Sequence, residues 1–306
     1  MSLLNANANA NANANANANA NANATQSLGS LLANRIRFNT YKIARQAFDP
    51  NGLITGKKIP GYAPNPKGDP AARWDPEHKA WVYLHELVHR RPGWVGDLEK
   101  SGKTIWNGWT KATLAQAALE VVNAAGERED RFAEIIDQDD GEGTIHYWQG
   151  MLMVDPGRHH NTNLLIRTAR KIGEMAVMCL KSRFNAARPA QLCPAIIPML
   201  DTPSHASYPA GHALQAYLIS FLLKRALPAV PQSPIPPNWT ATHSGLFALS
   251  RRISDNRVIA GVHFDIDCEA GFLLAKEIDR MMGALPASSE FKSLIAVVKK
   301  EFPQFA

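Results

Sequence analysis

From Trp109 onward the apolar residues recur three and four positions apart, with polar residues filling the intervening face. That period belongs to helices packed on one side. It predicts helices over Trp109–Gly126, Arg128–Gln138, Asn161–Phe184 and His212–Leu227, and again over Ser244–Gly261, Asp267–Leu285 and Ser288–Phe302. Gly126 and Pro228 act as stop signals, and Asn161 or Thr162 supplies a cap. Few runs alternate as half-buried strands do, and no internal repeat is apparent, so the expected fold class is all-α. Between Leu28 and about Asn107 the pattern breaks up: Pro, Gly and Trp recur, Asp49–Pro70 reads as loop, and one short helix is expected at Pro76–His89. The run from Gln138 to Gly143, QDDGEG, is too short for a calcium loop and reads as an acidic turn.

Residues Asn5 to Ala24 are ten Asn-Ala dipeptides, with nothing large enough to bury. The expected organisation is therefore a low-complexity tail at 1–27, a Pro/Gly/Trp-rich extension at 28–108 packed on the core, and a helical catalytic core at 109–306.

The chain has 306 residues, 45% of them hydrophobic, which is enough for a sizeable core. Its formal charge of +6 suits an anionic partner, but Lys and Arg are scattered, so nucleic acid is not expected. Three cysteines, Cys179, Cys193 and Cys268, make no disulfide framework and fit a reducing compartment. The N-terminus lacks a basic region followed by an apolar one. The most apolar run, Ala213–Leu223, is short of the roughly 18 residues a membrane span needs. The expectation is a soluble, cytoplasmic protein.

Three segments carry basic residues that helical packing does not explain. In KSRFNAARP, Lys181 and Arg188 are seven apart, two helical turns, so they would share a face, and Pro189 disfavours helix at Arg188, which puts it near the helix end. In SYPAGHA, Gly211 and His212 open an apolar helix after Pro209, where free N–H groups and a glycine favour an anion. In NRVIAGVHFDID, Asp267 follows His263 by four and can accept a hydrogen bond from its ring. Arg257 precedes His263 by six, so a break near Gly261 is needed for both to meet one ligand.

Taken in order, Lys-x6-Arg-Pro, Pro-small-Gly-His and Arg-x5-His-x3-Asp resemble the type 2 phosphatidic acid phosphatase superfamily, which includes bacterial acid phosphatases and vanadium-dependent haloperoxidases. The match spans Lys181 to Asp267. It implies an all-α helical bundle of that type. It also implies that Lys181, Arg188 and Arg257 neutralise the oxygens of phosphate or vanadate, with Ala210 and the Gly211 N–H completing the cradle. His263 would attack phosphorus, or coordinate vanadium if vanadate is bound. Asp267 would orient His263, and His212 would protonate the leaving oxygen. The family usually has Ser where this chain has Ala210, and Ser before the third-motif Arg where it has Asn256, whose amide can still donate.

The implied function is hydrolysis of small phosphomonoesters through a phosphohistidine, with no metal or other cofactor. The alternative is a haloperoxidase with vanadate as cofactor, which the stretch TPSHASYPAGHA also resembles. A third reading is a non-catalytic anion-binding protein. The partners expected are a small anionic substrate and, in a haloperoxidase, a second copy of the chain. A separate motif, HELVH, places His85 and His89 one turn apart around Glu86, as in zinc peptidases. No third-ligand motif follows it, and a surface helix is the expected reading.

Overall fold

The computed structural model describes residues 74–107, 109–227 and 241–302. These lie in the second of the two units into which the chain separates, Ala71–Ala306. The Asn-Ala tail, the Asp49–Pro70 loop, Trp239 and the Pro228 stop lie outside the described residues.

The described residues are all-α, with no strand among them. In chain order the helices are α1 (Pro76–Arg90), α2 (Trp94–Trp106), α3 (Lys111–Ala124), α4 (Arg128–Asp137), α5 (Gly141–Leu152) and α6 (His160–Phe184). A four-residue turn, α7 (Pro189–Leu192), precedes α8 (Gly211–Ala226), α9 (Ala241–Ile259), α10 (Asp265–Gly283) and α11 (Glu290–Lys300).

Two helices were not foreseen. Helix α2 begins after Gly93, with no side-chain cap, and buries Trp94 and Leu98. Helix α5 grows out of the acidic turn: the Asp140 carboxylate accepts from the Gly143 N–H at 2.6 Å and so caps it. Helix α6 is not capped by Asn161 or Thr162. The carboxylate of Glu301 accepts instead from both of their N–H groups at 2.8 Å and from the Thr162 hydroxyl at 2.6 Å.

Helix α8 forms the axis of the bundle and packs against α6, α9 and α10. It buries residues on every side, from Ala213 to Ala226, as a central helix must. Two glycines set its spacing. A methyl at Gly271 of α10 would lie 2.8 Å from the Ala213 Cβ and 2.9 Å from the Leu214 backbone nitrogen. A methyl at Gly173 of α6 would lie 2.9 Å from the Gln215 Cγ. Both helices therefore approach the first turns of α8 more closely than a side chain would permit. Lys181 on α6 and Asp267 on α10 come with them.

Candidate active site

Lys181 sits in the last turn of α6, 2% exposed. Its ammonium donates to the carbonyls of Ala206 at 2.5 Å and Ser207 at 2.7 Å. Burial, and then the Arg188 charge, lower its pKa to about 7.

Arg188 reaches the same place by a different route from the one its spacing suggests. Helix α6 ends at Phe184, and Asn185 turns the chain with φ 47°. The chain is extended at Arg188, with ψ 156°, because Pro189 disfavours helix before it. The two cations do not share a helix face; the chain doubles back. Arg188 donates to the Val262 carbonyl at 2.7 Å, to the His205 carbonyl at 3.2 Å and to His205 Nδ1 at 3.0 Å. Burial lowers its pKa to about 10.

The break required near Gly261 is present. Helix α9 ends at Ile259, and Gly261 has φ +82°, the left-handed region that glycine enters without strain. The turn places Arg257 and His263 on one cavity, together with Lys181, Arg188, Gly211 and His212. The cavity holds about 230 Å³.

Hydrogen-bond roles fix the state of His263. A guanidinium can only donate, so Arg188 Nη1, 3.1 Å from His263 Nε2, makes that nitrogen the acceptor. The ring proton is then on Nδ1, 3.1 Å from Asp267 Oδ2. The same carboxylate oxygen accepts from the Ser207 hydroxyl at 2.6 Å and the Phe264 N–H at 3.1 Å. Burial drives the His263 pKa well below its usual value, with Lys181 and Arg188 acting in the same direction, so the ring is neutral. Burial raises Asp267 against the pull of the Ser207 bond. The result is an imidazole with its lone pair on Nε2, held by a carboxylate behind it.

His212, at the first turn of α8, is half-buried. Burial, and then Arg257, push its pKa down to about 3. Arg257 is 1% exposed and donates through Nη2 to the Ile135 carbonyl at 3.1 Å. Its Nε and Nη1 have no hydrogen-bond partner among the described residues, and the nearest carboxylate oxygen, on Asp139, is 3.8 Å from Nη1. Burial lowers its pKa to about 10. Two unsatisfied donors on a buried cation demand an acceptor.

Two expected ligands lie elsewhere. Ala210 does not reach the cavity: it is fully buried in a small apolar cluster with Val121, Phe264 and Cys268, and its N–H donates to the Asp267 carbonyl at 2.9 Å. Asn256 also points away, its amide nitrogen donating to Gln138 at 2.9 Å and Glu134 at 3.2 Å. Two residues outside the three motifs enter the site. Ser207 supplies a hydroxyl to the Asp267–His263 pair rather than to an anion, and His205 grips Arg188. Both stand in a loop without periodicity, and their only visible signal was a position just ahead of the Pro-small-Gly-His motif.

The HELVH segment forms part of α1, with His85 and His89 stacked on its exposed side at 6.0 Å between ring centroids. Glu86 turns inward and accepts from the Glu290 and Phe291 N–H groups at 3.0 Å each, capping α11. Its carboxylate is committed to that helix start. Among the described residues no cluster of three His, Cys, Asp or Glu side chains could hold a metal ion.

No family model matches the chain, and no curated protein matches it. Among solved structures the chain is similar to the first transmembrane PAP2 type phosphatidylglycerolphosphate phosphatase from Bacillus subtilis. Identity is 17%, the match covers 75% of this chain and 97% of that one, and the TM-score is 0.26. The expectation of a soluble protein does not stand, because the solved structure that the chain is similar to is a transmembrane phosphatase. Among the described residues no helix is long and apolar enough to cross a membrane.

Proposed function

We propose that the protein is a phosphohydrolase of the type 2 phosphatidic acid phosphatase superfamily, acting on small phosphomonoesters through a phosphohistidine at His263. The observation that carries this reading is Arg257, buried with Nε and Nη1 unpartnered, on one small cavity with Lys181, Arg188 and the His263 ring. Three cations at one point supply the charge neutralisation and positioning that phosphoryl transfer needs.

In the step proposed, Arg188 Nη1 turns from His263 Nε2 to a phosphoryl oxygen, and the freed Nε2 lone pair forms a bond to phosphorus as the ester P–O bond breaks. The departing oxygen takes a proton from His212. Water then attacks phosphorus, the P–N bond breaks, phosphate leaves and the water's proton goes to His212. Asp267 holds the Nδ1 proton throughout. Burial holds the His212 pKa at about 3, so the free site has a neutral ring, and the proton it donates must enter with the substrate. A phosphoryl dianion in the cavity offsets the Arg257 and Lys181 charges that disfavour its proton. The Gly211 N–H, in the uncapped first turn of α8, adds a donor.

The same donors fit vanadate: Lys181, Arg188 and Arg257 would hold its oxygens, His263 Nε2 would be its nitrogen ligand, and bound vanadate would supply peroxide activation. The two readings separate in paired assays of p-nitrophenyl phosphate hydrolysis and of bromide oxidation by peroxide, each with and without vanadate. Hydrolysis that vanadate inhibits, and that His263→Ala abolishes, is the expected result. Unchanged hydrolysis in His263→Ala overturns the mechanism. Bromide oxidation that appears with vanadate assigns the site to a haloperoxidase. Phosphate binding without turnover leaves an anion-binding protein.

A further inference from the structure

The cavity is charged in two tiers. At its floor, Lys181 and Arg188 are 2% exposed and Arg257 1%. At its mouth stand three carboxylates, Asp139, Glu174 and Asp201. The side chains of Asp139 and Glu174 are 55% and 47% exposed, and Asp201 is exposed. Glu174 lies seven residues before Lys181 on α6, two turns along the same face, so floor and wall are built from one helix. Asp139 follows α4, and its carboxylate lies on the Arg257 side of the cavity.

Arg170 lines the cavity as well, but its guanidinium is set among carboxylates that lie outside it. Arg170 lies 3.5 Å from both Glu77 and Glu142. Lys171 is 3.4 Å from Glu174 but only 2.5 Å from Glu77. The mouth is therefore acidic over a cationic floor. For a site meant only to attract anions, that order of charge is backwards, because the acidic mouth repels what the floor would bind.

We infer that the site takes a small phosphomonoester whose leaving group carries an ammonium substituent, with the phosphoryl group on the floor and the ammonium among the carboxylates of Asp139, Glu174 and Asp201. This rests on the phosphohydrolase reading above. A phosphoryl group held by Lys181, Arg188 and Arg257 leaves its ester oxygen directed toward His212 and the mouth. The leaving group then passes the three carboxylates. A cation there gains their attraction, a neutral group gains nothing, and an anion is repelled. A cavity of about 230 Å³ restricts that group to a short chain.

The test compares kcat/KM for three esters of similar size, 2-aminoethyl phosphate, propyl phosphate and phosphoglycolate, at low and at raised salt. The expected order is ammonium over neutral over carboxylate, with about tenfold between the first two at low salt and less at raised salt. In Glu174→Gln and Asp201→Asn the ratio of ammonium to neutral ester falls toward one. Hydrolysis of propyl phosphate with no preference for the ammonium ester overturns this inference and leaves the phosphohydrolase reading standing. So does a preference that both variants retain. Failure to hydrolyse any of the three, or p-nitrophenyl phosphate, overturns both.

Discussion

His263 is made useful by what lies behind it. Asp267 Oδ2 collects three donors, and the shortest contact is the Ser207 hydroxyl at 2.6 Å. Removing that hydroxyl takes a charge-assisted hydrogen bond from a buried carboxylate and loosens the imidazole it orients. Ser207→Ala is expected to lower kcat about 10- to 100-fold with KM little changed, read from steady-state kinetics on p-nitrophenyl phosphate. A change confined to KM would assign Ser207 to substrate binding instead.

Lys181 carries a pH dependence of definite sign. Its pKa of about 7 means that it gains its charge as pH falls through neutrality, so the floor becomes more cationic toward the acid side. Sulfate keeps a constant charge over this range, so its inhibition constant reports the protein alone. That constant is expected to fall as pH drops from about 8 to 6, and to lose most of this dependence in Lys181→Met. An inhibition constant flat with pH in the unmodified protein would remove Lys181 from the anion site.

At the scale of elements, the site depends on how closely α6 and α10 approach α8. The contact at Gly271 is with backbone, which cannot rotate away: a methyl there meets the Leu214 nitrogen at 2.9 Å and the Ala210 oxygen at 3.1 Å. Gly271→Ala is expected to cost about 1–3 kcal/mol in urea unfolding and to lower kcat as well, because α10 carries Asp267 into the site. Loss of stability with kcat intact would show that α10 can shift without moving Asp267. The period-based reading located α6, α8, α9 and α10 to within a few residues, because each buries a long stripe. It missed α2 and α5. Helix α2 lies in Gly- and Trp-rich sequence, and the capping carboxylate of α5 looked like an acidic turn.

Across the whole molecule, the two ends of the described chain fasten each other. Glu86 on α1 accepts from the first N–H groups of α11, and Glu301, just beyond α11, accepts from the first N–H groups of α6. A carboxylate at a helix start satisfies orphan donors and complements the positive end of the dipole. Glu86→Gln is expected to lower stability by about 1–2 kcal/mol in urea unfolding, with a chelator having no effect on either form. A chelator-sensitive unmodified protein that bound zinc through His85 and His89 would restore the metal reading of HELVH.

The sequence alone determined the helical class and the three motifs. It also determined the need for a break at Gly261 and the pairing of His263 with Asp267. All of these are short-range: they follow from period, from spacing of four or seven residues, or from the backbone freedom of one glycine. The tertiary structure decided which groups face the cavity. Ala210 and Asn256 stood in motif positions, yet one packs in an apolar cluster and the other bonds to α4. Ser207, His205 and Asp201 entered the site from segments with no pattern to mark them, and Glu174 and Asp139 from segments whose pattern says nothing of the cavity. Their partners lie far away in sequence, as with Glu86 and Glu290, 204 positions apart. Contacts at such separations depend on how helices cross, and the chain's local period carries no record of that.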